Sequence, residues 1–255
     1  MSLKACCSTP AVGNPATSAQ EEIDTAGGIS LCVTGNRSSK RGVVLIYDIF
    51  GLYPQTKEGA ALISRELDCL VIIPDFFHGD AANMDWIGMD TDEKRSSMMA
   101  FFHTKANPVK NLAVLSDVME DTKGLYPQVE SWGILGLCWG SKLAALASGS
   151  DSCFAVSAQA HPSAYVADAL FPSSLLDLAD AKAITIPHIC LSSSDEPADV
   201  LEEYEQEVQT ESEFELYDTM FHGWMGARAN LEDEDNAKEF QRGYKQISSF
   251  FNNRL

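Results

Sequence analysis

A thiol between two glycines is the feature of this sequence with the clearest capacity for chemistry. Gly136, Cys138 and Gly140 fit the pattern G-x-nucleophile-x-G, in which the nucleophile lies on a sharp turn between a buried strand and a helix. The two flanking positions must be small, because the strand and the helix approach each other closely there. The helix N-terminus favours negative charge, so we expect a lowered pKa for the Cys138 thiol and an oxyanion donor at the Trp139 backbone N–H.

An acid and a histidine follow Cys138 at spacings that suit an orienting group and a general base. His222 lies in a glycine-containing loop before the last helix, from which an imidazole can reach over the turn. Asp195 follows an apolar strand and is the predicted orienting acid. Spacing alone leaves its neighbour Glu196 as an alternative, whereas Asp199 fits better as the N-cap of the next helix. The chain order of nucleophile, acid and base is that of the α/β-hydrolases.

Alternating strand and helix patterns predict the framework that holds these residues. Nearly continuous apolar runs, typical of strands buried on both faces, are separated by stretches with apolar residues at helical spacing. The apolar runs are 41–48, 69–75, 131–137, 153–159, 183–193 and 214–217, and the predicted helices are 57–67, 108–123, 200–208 and 236–255. This alternation predicts a mostly parallel central sheet with helices on both faces and a site at the carboxyl ends of its strands.

The length and the composition fit one α/β domain preceded by a short arm. The chain has 255 residues, 45% of them hydrophobic, and we find no internal repeat. Residues 1–25 are polar and rich in small residues, so we expect a loosely ordered arm there and a single domain over 26–255. Cys6 and Cys7 lie in this arm, beside no residue that indicates a function for them.

The charge and the cysteines restrict the predicted partners and compartment. The net charge of −19 repels phosphate backbones and anionic membrane surfaces. We find neither an apolar run long enough to span a membrane nor the apolar core of a secretory signal. The seven cysteines are odd in number and lack zinc-site spacing, which favours reduced thiols in a cytoplasmic protein. We therefore expect no nucleic-acid partner, no membrane partner and no metal.

Four patches of sequence resemble the dienelactone hydrolases (carboxymethylenebutenolidases), which are α/β-hydrolases with a cysteine nucleophile. The patches are YDIFGL, PDFFHGD, GLCWGS and FHGW, which begin at Tyr47, Pro74, Gly136 and Phe221. The first two are most similar to the eukaryotic, especially the fungal, branch. The resemblance covers residues 28–255. It implies the α/β-hydrolase fold and hydrolysis of a lactone or activated ester without a metal or organic cofactor.

The resemblance also implies roles for residues outside the triad. Asp48 stands where the bacterial form has a thiol-activating glutamate, and Ile49 matches the residue whose backbone N–H is the second oxyanion donor. The bacterial form binds a substrate carboxylate with arginines, but PDFFHGD contains none, and Arg228 lies six residues after His222. Arg228 is one candidate for lining the substrate pocket, and the others are Tyr53, Phe77, His78, Trp86, His161 and Trp224.

The predicted reaction is hydrolysis of a lactone or activated ester through a Cys138–Asp195–His222 triad. The thiolate attacks the carbonyl, a thioacyl-enzyme forms, and water activated by His222 releases the acid. We expect a small-molecule substrate and a monomer or homodimer. A thioesterase or acyltransferase with the same triad is one alternative. A non-catalytic redox-responsive or ligand-binding protein is the other, because the chain contains several further cysteines.

Overall fold

The computed structural model describes residues 10–12, 22–163 and 177–255, which contain an eight-stranded sheet. Its strands are β1 (Glu22–Ala26), β2 (Ile29–Gly35), β3 (Arg41–Ile46), β4 (Leu70–Pro74), β5 (Ser131–Leu137), β6 (Val156–Ala160), β7 (His188–Ser193) and β8 (Ser212–Tyr217). They lie in the order β1-β2-β4-β3-β5-β6-β7-β8. The pairs β1–β2 and β2–β4 are antiparallel, and the other pairs are parallel. This confirms the predicted mostly parallel sheet.

The central strands are buried on both faces, as their composition predicts. Residues 43–46 of β3 and 70–73 of β4 are all aliphatic, and none is more than 1% exposed. Aliphatic and β-branched side chains are enriched in parallel strands that are packed between layers of helices. The sheet is therefore the rigid support for every loop at its carboxyl edge.

Helices cover the sheet. They are α1 (Pro54–Leu67), α2 (Asp92–Thr104), α3 (Pro108–Leu125), α4 (Trp139–Leu146), α5 (Leu178–Ala183), α6 (Ala198–Glu207) and α7 (Glu234–Asn252), with a 3₁₀ turn at Met84–Trp86. Proline stands at the start of α1 and α3, where its missing N–H has no intrahelical acceptor to lose. Within the described ranges, no helix has the length and apolar character needed to cross a membrane.

The closing helix α7 packs its apolar face against the core and contacts the loop after β8. Its apolar face consists of Phe240, Tyr244, Ile247 and Phe251, each at most 1% exposed, so the predicted amphipathic helix is confirmed. The Tyr244 hydroxyl donates a hydrogen bond to the Met225 carbonyl at 2.7 Å. Because Met225 lies on the loop after β8, this contact holds that loop against the core.

The amino-terminal hairpin differs from the sequence-based expectation. Residues 22–25, expected in the arm, lie in β1, which pairs with β2 from Glu22 opposite Val33 to Ala26 opposite Ile29. The turn is Gly27-Gly28, with φ angles of 57° and 74°, the left-handed values that two-residue hairpins require. Residues 1–9 and 13–21 of the expected arm, including Cys6 and Cys7, lie outside the described residues.

Candidate active site

Cys138 lies on the turn between β5 and α4, at the carboxyl edge of the sheet. Its φ of 50° and ψ of −109° are strained for a residue other than glycine. A Cβ atom at Gly136 would lie 2.1 Å from the Gly140 carbonyl oxygen, and one at Gly140 would lie 2.4 Å from the Ile46 carbonyl oxygen. Close packing therefore requires both glycines, which is the reason for the spacing in the sequence.

Three side chains from different loops form one chain of contacts at this turn. His222 Nε2 lies 3.1 Å from Cys138 Sγ, and His222 Nδ1 lies 2.6 Å from Glu196 Oε1. All three residues are at most 5% exposed. Cys138 follows β5, Glu196 follows β7 and His222 follows β8. The parallel strands end at one edge of the sheet, which brings these distant residues together.

The carboxylate of Glu196 orients the imidazole. An ionised carboxylate only accepts hydrogen bonds, so Nδ1 carries the proton in this contact and Nε2 is left to accept one from the thiol. The Ser193 backbone N–H donates to the other carboxylate oxygen of Glu196 and holds it in place. The arrangement can therefore move a proton from Sγ to Nε2 and stabilise the imidazolium that forms.

The structure corrects the assignment of Asp195 as the orienting acid. Asp195 Oδ2 accepts the backbone N–H of His222 at 2.8 Å, whereas the ring nitrogen contacts Glu196. The side chain of Asp195 is one methylene shorter than that of Glu196, and its carboxylate contacts the backbone of the His222 loop. Asp199 also differs from expectation, because Pro197 occupies the N-cap of α6 and Asp199 lies in its first turn. Two adjacent acids thus hold one histidine, by its ring and by its backbone.

Further hydrogen bonds join the acid loop to the histidine loop. The backbone N–H and the hydroxyl of Ser194 donate to the Met220 carbonyl, at 3.1 Å and 2.7 Å. Met220 lies two residues before His222. The relative position of Glu196 and His222 is therefore fixed by the backbone on both sides of their own contact.

The two predicted oxyanion donors belong to adjacent loops. Trp139 is the first residue of α4, so its backbone N–H has no acceptor within the helix. Ile49 lies on the loop after β3. The backbone of that strand end is in direct contact with the turn at residues 136–140, which we call the elbow, because a Cβ at Gly140 would meet the carbonyl oxygens of both Ile46 and Tyr47 within 2.8 Å. Their joint action on an oxyanion stays a prediction.

Asp48 is a buried acid that bridges two loops of the site. Its Oδ1 accepts the Phe50 N–H at 2.9 Å, and its Oδ2 accepts the Ala227 N–H at 2.8 Å. Ala227 lies on the loop that carries His222. These bonds give Asp48 a definite structural role, which is to join the loop after β3 to the histidine loop. The thiol-activating role that the resemblance implies for Asp48 stays a prediction.

Three of the predicted pocket residues lie close to the triad or to its loops. The His161 ring centroid is 5.3 Å from that of His222, with the rings nearly perpendicular. Arg228 Nη1 lies 3.4 Å from the His222 carbonyl oxygen, and the Tyr53 ring packs on Phe50 with centroids 6.1 Å apart. Burial raises the pKa of Tyr53, so this side chain is a neutral phenol at pH 7.

Two other predicted pocket residues are part of the core. Phe77 is 1% exposed and packs on Trp139, with ring centroids 4.7 Å apart. Trp224 is fully buried and stacks on Tyr217 at 4.4 Å. That Phe77 and Trp224 line a substrate pocket stays a prediction.

The two remaining pocket candidates lie farther along the chain between β4 and α2. His78 is exposed in a turn and has a φ of 54°. Trp86 is half-buried in the 3₁₀ turn, with its ring 6.3 Å from that of Phe101. Both have surface open to solvent, and contact of either side chain with a substrate stays a prediction.

A buried histidine on β7 contacts two polar side chains of the neighbouring strand β6. His188 Nδ1 lies 2.7 Å from Ser157 Oγ, and Nε2 lies 3.0 Å from Gln159 Oε1. Burial lowers the pKa of His188 to about 3, so its ring is neutral. In the part of the chain that the structure describes, no group of three or more histidine, cysteine or acidic residues is arranged to hold a metal ion.

A serine beside the thiol was not among the residues expected at the site. Ser163 Oγ lies 3.0 Å from Cys138 Sγ, and the residue is 3% exposed. It follows β6 in the segment His161-Pro162-Ser163. The sequence does indicate that residues after β6 lie near Cys138, because β5 and β6 end at the same edge of the sheet. A serine in a loop is too common, however, to be singled out without coordinates.

Known proteins with related sequences or folds match nearly the whole chain. The sequence model of the dienelactone hydrolase family matches residues 30–255. An uncharacterized AIM2 family protein of Schizosaccharomyces pombe is 33% identical over 258 residues, covering 98% of both chains. A dienelactone hydrolase from Anabaena variabilis has a TM-score of 0.63 at 12% identity, covering 92% of this chain and 97% of its own. The Pyrococcus furiosus esterase Pf2001 has a TM-score of 0.65 at 12% identity, covering 99% of both chains.

Proposed function

The chain belongs to the dienelactone hydrolase family, and on that premise we propose that it cleaves a lactone or activated ester with Cys138 as nucleophile. Membership makes the protein a hydrolase of carboxylic esters or lactones. The observation that carries the finer proposal is the continuous contact from Cys138 Sγ to His222 at 3.1 Å and from His222 to Glu196 at 2.6 Å. His222 is the general base in this proposal, and Glu196 is the acid that orients it.

The first half of the reaction acylates the thiol. His222 Nε2 takes the proton of Cys138, and the sulfur attacks the carbonyl carbon of the substrate. The negative charge that develops on the carbonyl oxygen is stabilised by the N–H groups of Trp139 and Ile49, each typically contributing about 3 kcal/mol. The carbon–oxygen bond of the ester then breaks, and the leaving oxygen takes the proton from Nε2.

The second half of the reaction releases the acid. His222 Nε2 removes a proton from a water molecule, which attacks the thioester carbonyl. The tetrahedral intermediate collapses with cleavage of the carbon–sulfur bond. Its electron pair returns to Cys138 Sγ, and the proton on Nε2 passes back to the sulfur, which restores the resting thiol and the neutral imidazole. In both halves Glu196 stabilises the charged form of the imidazole, as a buried acid does in other triads.

The thiol favours a particular class of ester. A thiolate is a better leaving group than an alkoxide, so the tetrahedral intermediate on sulfur collapses forward only when the ester oxygen leaves easily. Enol lactones and aryl esters meet that condition, since their leaving oxygens are stabilised as enolate or phenolate. We therefore propose a small lactone or activated ester as substrate, turned over in the cytoplasm by a monomer or homodimer.

Replacement of the nucleophile tests this proposal. The variant Cys138→Ala should lose at least about 1,000-fold in kcat/KM on a cyclic enol lactone and on p-nitrophenyl acetate, because no covalent intermediate can form. Cys153→Ala is the matched control, since Cys153 is an exposed thiol, and it should keep wild-type activity. Unchanged turnover by Cys138→Ala would reject the proposal. Cys138→Ser is less informative, because a serine in this triad can retain some activity.

Product analysis separates hydrolysis from the alternative reaction on the same triad. The enzyme is incubated with an enol lactone in water alone and then with an added alcohol or thiol acceptor. A hydrolase gives the free acid in both cases. An acyltransferase gives the ester or thioester of the acceptor, and dominance of that product would replace hydrolysis by acyl transfer.

A further inference from the structure

Two side chains from different loops, His222 and Ser163, contact the sulfur of Cys138. His222 Nε2 lies 3.1 Å from Sγ, and Ser163 Oγ lies 3.0 Å from it. Both contacts are buried, with Ser163 and Cys138 each 3% exposed. A hydroxyl in a buried place requires a hydrogen-bond partner, and Sγ is the partner that this geometry gives it.

The backbone around Ser163 is built to hold that position. His161 has a φ of 39°, a left-handed value that is unusual for a residue other than glycine and is further disfavoured before a proline. Two hydrogen bonds hold this segment: the His161 N–H donates to the Leu191 carbonyl at 2.7 Å, and the Cys138 N–H donates to the Ala160 carbonyl at 3.1 Å. The strained bend after β6 is thus hydrogen-bonded to the elbow. The segment places the Ser163 hydroxyl against Cys138 Sγ.

When Cys138 is ionised, Ser163 must be the donor in their contact. The proton on His222 Nδ1 is committed to Glu196, so Nε2 can receive the proton of the thiol. Once that proton has moved, the sulfur is an anion and can only accept. The serine hydroxyl has one proton to give, and a hydrogen bond to an ionised acceptor is roughly twice as strong as one between neutral groups.

We propose that Ser163 is a further catalytic residue, whose hydroxyl donates a hydrogen bond to the Cys138 thiolate. The inference rests on the proposed function, since it concerns the same nucleophile. In the resting enzyme the bond raises the fraction of sulfur that is ionised. In deacylation it stabilises the electron pair that returns to sulfur when the carbon–sulfur bond breaks. In the acyl-enzyme the sulfur is a neutral thioester and a weak acceptor. The hydrogen bond from Ser163 therefore stabilises the thiolate more than the thioester.

Other charged and titratable groups lie on the loops that meet near Cys138. His222 lies on the loop after β8, with Glu196 behind it on the loop after β7. His161 follows β6, with its ring centroid 5.3 Å from that of His222. Asp48 follows β3, and Arg228 lies on the His222 loop. All of these remain in place when only the hydroxyl of Ser163 is removed, so a change in the sulfur's titration reports that hydroxyl.

Threonine and valine at this position form the decisive pair of variants. Ser163→Thr keeps the hydroxyl and Ser163→Val has the same shape without it. The rate of alkylation of Cys138 by iodoacetamide is measured against pH by mass spectrometry of the peptide that contains it. Ser163→Val should raise the pH midpoint by about one unit, which is a tenfold loss of thiolate below the midpoint. Ser163→Thr should stay within about 0.3 units of wild type.

Turnover gives a second readout. With p-nitrophenyl acetate, Ser163→Val should lower kcat and kcat/KM each about tenfold, because acylation depends on the ionised fraction of the sulfur and deacylation on the electron pair that returns to it. Equal midpoints for the threonine and valine variants would overturn the role of Ser163. If circular dichroism shows that either variant is unfolded, the pH midpoint of alkylation is measured for Ser163→Ala instead. A midpoint equal to that of wild type would then also overturn the role of Ser163. The alkylation assay does not depend on turnover. Failure of the proposed hydrolase function would therefore be detected separately, by unchanged turnover in Cys138→Ala.

Discussion

Two adjacent acids contact different parts of His222. Glu196 contacts the ring nitrogen Nδ1 at 2.6 Å, and Asp195 accepts the backbone N–H of the same residue at 2.8 Å. Only the acid on the ring faces the charge that forms when the imidazole takes a proton. The two residues therefore differ in what they do for the reaction, although they are neighbours in the sequence and carry the same charge.

Neutralising each acid in turn separates the two roles. Glu196→Gln should lower kcat/KM at least about 100-fold, because an amide cannot stabilise the imidazolium. Asp195→Asn keeps an oxygen acceptor for the His222 N–H and should lose less than about tenfold. Both are measured on p-nitrophenyl acetate at pH 7. A larger loss for Asp195→Asn would return the role of triad acid to Asp195.

The sequence predicts the proposed nucleophile and base of the site but assigns the acid to Asp195, one residue from Glu196. Cys138 and His222 stand in patterns that few other positions satisfy. Asp195 and Glu196 share one turn, in which the Ser193 N–H bonds to Glu196 and fixes which carboxylate reaches the ring. That choice depends on side-chain length and on three-dimensional turn geometry, neither of which is written in the spacing. Ser163 escapes prediction for the same reason, because its position depends on the bend at His161.

At the scale of secondary structure, the elbow is the element on which the site depends. The strained backbone of Cys138 is possible only because β5 and α4 come within contact distance at Gly136 and Gly140. Any added side chain at these positions must push the strand and the helix apart. Packing in the core maintains the strained conformation, since seven of the eight residues of α4 are buried.

Alanine substitutions at two glycines test this packing. Gly136→Ala should lower the free energy of unfolding by about 3 kcal/mol or more, because its Cβ would lie 2.1 Å from a backbone oxygen. Gly124→Ala, in α3, meets nothing within 4 Å and should instead raise it by about 0.5 kcal/mol through helix propensity. Urea denaturation measures both. Equal stability of Gly136→Ala and wild type would contradict the packing account.

The elements of the core are predictable from the sequence, and those at the edges are less so. β5 coincides with its predicted range, and β3 and β4 differ from theirs only at the ends. β7 begins at His188 rather than at 183, because Ala183 still belongs to α5. The hairpin of β1 and β2 lies at the sheet edge, where Ile23 is 63% exposed. Its burial pattern is mixed, so periodicity gives a weak signal there.

At the scale of the whole molecule, a buried polar network connects β6 and β7 to α4, the helix that follows Cys138. His188 on β7 contacts Ser157 and Gln159 on β6, and Gln159 donates to the Ser141 carbonyl in α4 at 2.9 Å. Each of these residues is at most 1% exposed. Because burial disfavours the charged imidazole of His188, this network links the stability of the fold to pH.

Stability should therefore fall as the solution becomes acidic. The pKa of His188 is about 3 in the folded protein, against about 6.5 in the unfolded chain. Below pH 6.5 the unfolded state binds a proton that the folded state does not, so this one residue should lower the free energy of unfolding by about 2 kcal/mol between pH 8 and pH 5.

Two histidine variants isolate this effect. The pH dependence of urea denaturation is compared for wild type, His188→Gln and His103→Gln, the last at an exposed position. His188→Gln should show the shallower decline between pH 8 and pH 5, and His103→Gln should follow wild type. A decline in His188→Gln as steep as in wild type would show that His188 does not make this contribution.

The central claim is that Cys138 carries the acyl group between the two halves of the reaction. The most direct measurement is mass spectrometry of the enzyme quenched with acid within milliseconds of mixing with p-nitrophenyl acetate, followed by peptide mapping. We expect one acetyl group per chain, attached to the peptide that contains Cys138 and lost on further incubation before the quench. Steady release of p-nitrophenol without any acetyl group on Cys138, or with it on another residue, would contradict the account.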